Sequence, residues 1–268
     1  MSIDHAYAMG SPIRQKVVQS AAKGVKAKFH AESGPQYFGG DSIVWGCIRG
    51  APQLMKMIRD AGCNYWQMDN GYRGRNKYFR ITKNAWQHVG LEQSSPLRWE
   101  GLVKEYGLKI RPWNKGSKIV IAMSTEHLYK LHELNLKDWL DKTIATIKKH
   151  SDRKILVREK KSKGPIEDTL LDAHALVTYT SMAALDALQM GVPVFCSEKC
   201  AAAPMALQDL SQIEKPMYPD DRERLFWTMA DHQFTENELA SGMWYKQEDL
   251  CSESSSVMTN EKLSLSMS

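Results

Sequence analysis

Short apolar runs alternate with longer amphipathic ones along most of the chain. In the first half, "DHAYAM" has the length and composition of a strand. "SPIRQKVVQSAAKG" follows it with helical spacing, Ser11 as N-cap, Pro12 in the first turn and Gly24 at the end. "VKAKF" reads as a second, weak strand. "DSIVWGCI" is a better one, followed by the helix "APQLMKMIRDAG" and the strand "CNYWQMD". The next stretch, "NGYRGRNKYFRITKNAWQHVG", mixes aromatic and basic residues without a period and reads as irregular. A polar segment then continues to Pro112.

The alternation restarts after that segment. "SKIVIAM", "KILVREK", "ALVTYT" and "VPVFCS" read as strands; "LKDWLDKTIATIKKHS", "PIEDTLLDA" and "SMAALDALQMG" read as the helices between them. "PMALQDL", "PDDRERLFWTMADH" and "TENELASGMWYKQ" read as C-terminal helices. Strand and helix alternating at this spacing predict parallel sheets covered by helices. The expected fold is α/β, with two Rossmann-like domains facing a cleft and helices at the C-terminus. The domain boundaries fall at 1–112 and 113–247, joined by an irregular connection near 107–117. No internal sequence repeat is visible.

Composition narrows the class without naming an activity. A chain of 268 residues, 43% hydrophobic and 25% charged, can bury a full core. No apolar run approaches the roughly 20 residues of a membrane span, and the N-terminus lacks the layout of a signal peptide. Five cysteines (47, 63, 196, 200 and 251) show no CxxC spacing, which predicts reduced thiols, no zinc site and a cytoplasmic location. Net charge is +5, yet the segment from Glu248 onward carries four acids and one base, so the remainder stands at +5 + 3 = +8. That Ser-rich tail, 248–268, is expected to be disordered. A body this basic favours polyanionic partners, nucleotides or nucleic acid.

Candidate chemistry concentrates where "ALVTYT" stops and a helix begins. In parallel sheets, ligands bind outside the carboxyl ends of the strands. Thr180 and Ser181 offer hydroxyls there, and a helix N-terminus attracts anions. Asp186 lies on the same predicted helix. Arg158 and Lys160 leave the carboxyl end of "KILVREK" toward the same edge, so cation, hydroxyls and helix terminus converge on a site suited to a diphosphate. The plainer alternatives are a helix cap for Ser181, a solvated face for Asp186 and a solvated loop for the basic cluster.

"HALVTYTSMAALDALQMGVPVF" resembles the donor-binding segment of GT-B glycosyltransferases, particularly the capsule-polysaccharide-type families; "LVREKK" is similar to their preceding basic strand, and "DRERLFWTMADHQFTENELASGMWYK" to their closing helices. "VWGCIRG", "YWQMDNGY" and "YFRITKN" resemble phage-borne glycosyltransferases, some of which decorate modified bases in DNA. The resemblance covers about residues 40–245. It implies transfer of a sugar from a nucleotide sugar, UDP-linked in the leading reading, without metal or other cofactor. Asp186 falls where the family holds the ribose hydroxyls, although many relatives carry Glu there. Arg158, Lys160, Thr180 and Ser181 would stabilise the leaving diphosphate.

An acceptor hydroxyl must also lose its proton, if configuration inverts. Asp69 ends "CNYWQMD" and is the candidate base; it could equally open an Asp-Asn-Gly turn. His30, Glu32 and Asp41 are weaker candidates. Beyond it, Tyr72, Arg73, Arg75, Arg80 and Asn84 suggest an acceptor surface, since cations contact phosphates and aromatics stack on an unpaired base. The leading acceptor is a hydroxymethylated pyrimidine in phage DNA, inside the host cytoplasm. The alternatives are a capsule or surface glycan, or a non-catalytic nucleotide or nucleic-acid binder with this fold.

Overall fold

The computed structural model describes residues 2–10, 12–31 and 34–246. Ser11, Glu32 and the tail 248–268, all named above, lie outside the described residues. The chain divides into two compact units, one formed by residues up to Ala85 together with those from His232 onward, the other by Trp86–Asp231. The expected boundary at 112/113 falls inside the second unit. The segment around it is no linker there: Arg111 N–H donates to Gln189 O and Asn114 N–H to Gly191 O, at 2.8 and 2.6 Å.

The first unit is built on β1 (His5–Tyr7), α1 (Pro12–Val25), β2 (Lys28–His30), β3 (Ser42–Trp45), α2 (Ala51–Asp60) and β4 (Tyr65–Asn70). β2, β1, β3 and β4 lie side by side in that order, all parallel. Each helix earns its place by one apolar face: Val17, Val18, Ala21 and Ala22 of α1 are buried, as are Leu54, Met55 and Ile58 of α2. Gly24 does not end α1, which runs one residue further. A Cβ there would overlap the Leu239 carbonyl and the backbone of Gly242, so glycine permits a close backbone crossing.

The stretch read as irregular contains β5 (Tyr78–Lys83), which pairs antiparallel with β4. A turn with Gly74 at φ 66° and Asn76 at φ 71° reverses the chain between them. The strand is hidden in the sequence because Arg80 sits at its centre and breaks the apolar pattern. Its edge is covered in turn by β10 (Gln233–Thr235), again antiparallel, so the gap between the last two predicted helices, with the first residue of the second, supplies the sixth strand of the sheet. α9 (Glu236–Ser241) follows directly, opened by Thr235 in a reciprocal capping box with Glu238.

The second unit begins with α3 (Leu97–Tyr106), in the region read as polar loop; Trp99 and Leu102 are its buried residues. Its sheet comprises β6 (Lys118–Ala122), β7 (Ile155–Arg158), β8 (Ala173–Thr178) and β9 (Val194–Cys196), in the order β7-β6-β8-β9 and wholly parallel. α4 (Glu126–Leu131) and α5 (Leu136–His150) connect β6 to β7, α6 (Ile166–Leu170) leads to β8, and α7 (Ala183–Gln189) joins β8 to β9. α8 (Glu223–Asp231) packs on α3, with Phe226 stacked on Trp99 at 5.0 Å between ring centres. "PMALQDL" is not a helix: Leu207 bridges to Phe195, with single 3-10 turns on either side. β8 is buried throughout, whereas β7 has no buried residue and forms the sheet's edge. Among the described residues, no helix is long and apolar enough to cross a membrane.

Candidate functional site

In the second unit the chain leaves β6 toward β7 on one side, and leaves β8 toward β9 on the other. The crevice between the carboxyl ends of β6 and β8 is therefore the topological switch point, where open parallel sheets bind ligands. Thr180 lies there, as expected. Its side chain is fully buried, and its hydroxyl has no hydrogen-bond partner among the described residues. Ser124 stands at the same offset beyond the Ile121–Val177 pair on β6. It is 5% exposed, and its hydroxyl is likewise without a partner. Leaving a buried hydroxyl unpaired costs about 1–3 kcal/mol, and two such hydroxyls face one crevice here.

Several contacts hold this edge still. Thr178 Oγ1 donates to the Ala122 carbonyl at 2.7 Å, tying β8 to β6. Tyr179 packs its ring against Tyr129 at 5.8 Å, with His132 and Trp139 beside it. Its carbonyl accepts from Ser197 Oγ at 2.8 Å. Gln87, 1% exposed, donates from Nε2 to the Thr180 carbonyl at 3.1 Å and accepts from the Ala201 N–H at 2.7 Å. The next residue, Ser181, donates its own N–H to Thr178 Oγ1, and its Oγ accepts from the Ala183 N–H at 3.3 Å. Its hydroxyl thus also shapes the entry to α7, on which Asp186 is half-buried.

Arg158 is not on a strand next to β8, because β6 lies between β7 and β8. Two strand spacings separate them, roughly 10 Å. The Arg158 guanidinium donates to Thr169 Oγ1 at 2.7 Å and to the Gly164 carbonyl, closing the loop that leads to α6. Lys160 is exposed in the turn after β7. Ser124 and Gln87 were missed by sequence reasoning. For Ser124 a signal existed: "IAMST" ends an apolar strand in a hydroxyl pair just as "TYTS" does. For Gln87 there was none, because its role depends on two distant backbone groups.

In the first unit, Asp69 stands at the carboxyl end of β4 with its side chain 22% exposed. Its Oδ1 accepts from the Asn70 backbone N–H at 2.7 Å and from Asn70 Nδ2 at 3.1 Å. Its Oδ2 is 3.7 Å from Arg80, which lies opposite it on β5. Arg80 is no surface cation. It is 4% exposed, donates to the Asn70 carbonyl at 3.0 Å, and lies over the buried Tyr72 ring at 5.6 Å. Cys47, just beyond β3, senses the same charges. Burial pushes its thiol up to about 12, with Asp69 adding to the rise and Arg80 opposing it.

The expected acceptor residues do not form one surface. Arg73 donates from its guanidinium to the Tyr72 carbonyl at 3.0 Å, and its N–H donates to Gln233 Oε1 at 2.9 Å. Asn84 closes the opposite end of the hairpin, accepting from the Tyr65 N–H at 2.9 Å and donating to Asn64 at 2.8 Å. The length of β4 separates it from Asp69, about 13 Å at the usual strand rise. Arg75 and Asn84 are the exposed members of that group, and Arg75 lines a cavity of about 200 Å³ with Trp45 and Asn70. Among the weaker base candidates, His30 stacks against both Tyr7 and Phe38, with Nε2 3.0 Å from His5 Nδ1. Asp41 accepts from the Asn64 N–H at 2.8 Å, at the amino end of β3.

No family model matches the sequence, and no curated protein matches it. Among solved structures, the chain is similar to Thermosulfurimonas dismutans KpsC, beta Kdo 2,4 transferase. The TM-score is 0.50 at 11% identity, over 88% of this chain and 92% of that one. A second similar structure is Thermosulfurimonas dismutans KpsC, beta Kdo 2,7 transferase, at TM-score 0.48 and 13% identity, over 92% and 100%. At such identities the likeness is one of fold, and the fold is a two-domain GT-B-like α/β fold.

Proposed function

We propose that the protein is a glycosyltransferase that moves a sugar from a nucleotide sugar to a hydroxyl of a glycan. The observation that carries this reading is the pair of buried, unpartnered hydroxyls, Ser124 and Thr180, at the switch point of the second sheet. A diphosphate would satisfy both, with Ser181 beside it and Asp186 on α7 for the ribose. The similar solved structure is named as a transferase of the sugar Kdo, which agrees with glycosyl transfer and with a saccharide acceptor. UDP is the first nucleotide to test. Leaving-group charge would be met by hydroxyl and backbone donors. Asp69 is the candidate to take the acceptor proton if configuration inverts.

A base in DNA is the less favoured acceptor. Tyr72, the aromatic side chain expected to stack on it, is 4% exposed, as is Arg80, which is buried between its partners. The deciding experiment incubates the protein with a panel of nucleotide sugars and follows donor consumption by NMR, with saccharide and hydroxymethylated-DNA acceptors in parallel. Transfer to a saccharide is the expected result. Transfer to DNA alone would overturn the acceptor, and absence of nucleotide binding by a folded protein would overturn the whole reading.

A further inference from the structure

We propose that the first unit carries a subsite for a single sugar ring bearing an oxyanion, a carboxylate or a phosphate. As the acceptor end of the reaction, this rests on the glycosyl-transfer reading above. The cavity beside β3, β4 and β5 encloses about 200 Å³, below the roughly 300–1,000 Å³ of sites that enclose drug-sized ligands. It has room for one ring rather than a chain. It also lies at the carboxyl ends of β3 and β4, the edge of a parallel sheet where ligands bind.

Its lining has a definite chemistry. Trp45 and Phe79 form an apolar wall, set edge-on to each other at 6.0 Å. Arg14, from the first turn of α1, lies 5.9 Å from the Trp45 ring, and Arg75 enters from the β4–β5 turn. No carboxylate lines the cavity, and neither guanidinium has an acid partner among the described residues. Two guanidinium forks on a water-sized-to-ring-sized space match a planar or tetrahedral oxyanion better than a neutral hydroxyl. Asn70 and Asn76 add amides suited to ring hydroxyls. The Asn70 amide is already oriented, because its Nδ2 donates to Asp69. A ring held there is therefore held by the residue next to the candidate base.

The test uses the full chain and defined probes: glucuronate, glucose 6-phosphate, glucose, inorganic phosphate and a short single-stranded DNA. Each is titrated by NMR into the wild type and into Arg14→Gln and Arg75→Gln, with UDP titrated separately. One of the acidic sugars should bind at least about tenfold more tightly than glucose, and each variant should weaken it about tenfold, as loss of a charged hydrogen bond requires. UDP affinity should stay unchanged. Preference for glucuronate identifies a carboxylate, and preference for glucose 6-phosphate a phosphate. The subsite is overturned if glucose binds equally well, if inorganic phosphate binds as tightly as the sugar phosphate, or if both variants bind like the wild type. Binding of DNA alone, or of neither acidic sugar, overturns it too. If an acidic sugar binds but UDP does not, the subsite stands and glycosyl transfer falls.

Discussion

The two sheets share one parallel arrangement. β2-β1-β3-β4 in the first unit and β7-β6-β8-β9 in the second run in the same order relative to the chain, without any sequence repeat. Their carboxyl edges nevertheless differ in kind. The second edge is lined by neutral hydroxyls, Ser124, Thr180, Ser181 and Ser197, held by backbone and amide contacts. The first is charged and aromatic, with Asp69 against Arg80, Cys47 beneath them and Trp45 nearby. Topology decides where a ligand can sit; the side chains at the strand ends decide what chemistry it meets. Neutral donors suit a phosphate that must be bound and released, whereas a carboxylate suits a proton that must be moved.

The largest effect should come from the charged edge. Asp69→Asn should lower transfer by a factor of ~100 or more, as for loss of a general base, while UDP binding persists. The same change leaves the buried Arg80 guanidinium without its carboxylate, so denaturant unfolding must be measured beside the kinetics. A rate within threefold of wild type would remove Asp69 from the mechanism and leave it as Arg80's structural partner.

The hydroxyl edge should respond with an opposite pairing of effects. Ser124→Ala and Thr180→Val each remove a donor from the proposed phosphate site, and UDP affinity should fall by about 1–3 kcal/mol by calorimetry. Stability of the free protein should hold or rise, because each change deletes a buried hydroxyl that has no partner. If both variants lose stability and keep UDP affinity, those hydroxyls serve the fold alone. Gln87→Leu supplies the contrast. It strips partners from the Thr180 carbonyl and the Ala201 N–H, so stability itself should fall by about 1–3 kcal/mol.

The two edges were unequally legible in the sequence. The four strands of the second sheet were all visible as apolar runs, and Thr180 and Ser181 could be placed at its carboxyl edge because all strands point one way. The strand order was not visible, so Arg158 was set beside Thr180 and Ser124 was overlooked between them. In the first sheet, β1 to β4 were legible for the same reason. β5 was not, because a strand with a buried arginine looks like a loop until its partner carboxylate is known to lie opposite. β10 falls in the short gap between two predicted helices, where three residues carry no period of their own. The expected acceptor group shows the same limit: Tyr72, Arg80 and Asn84 are polar or aromatic residues with partners in or beside the hairpin, and the sequence shows composition but not those partners.

The smallest expected effect reads the charged edge directly, through Cys47. Its thiol is pushed up to about 12, chiefly by burial. Protonation is therefore favoured in the folded state. The stability this contributes is fully present below the usual thiol range and is lost as pH rises toward about 12. At pH 9, alkylation of Cys47 should lag well behind that of a free cysteine, because little of it is thiolate. The neighbouring charges then make opposite predictions. Asp69 raises the thiol, so Asp69→Asn should lower it and speed alkylation by about threefold. Arg80 lowers it, so Arg80→Met should slow alkylation by a similar factor. General loosening of the hairpin would instead speed the reaction in both variants, and peptide mass spectrometry over a time course tells these apart. Cys196 and Cys200, buried in the second unit, serve as internal controls and should not change. Matched acceleration in both variants would mean that Asp69 and Arg80 act on Cys47 through packing. The contrast between a charged and a neutral edge would then lose its electrostatic content.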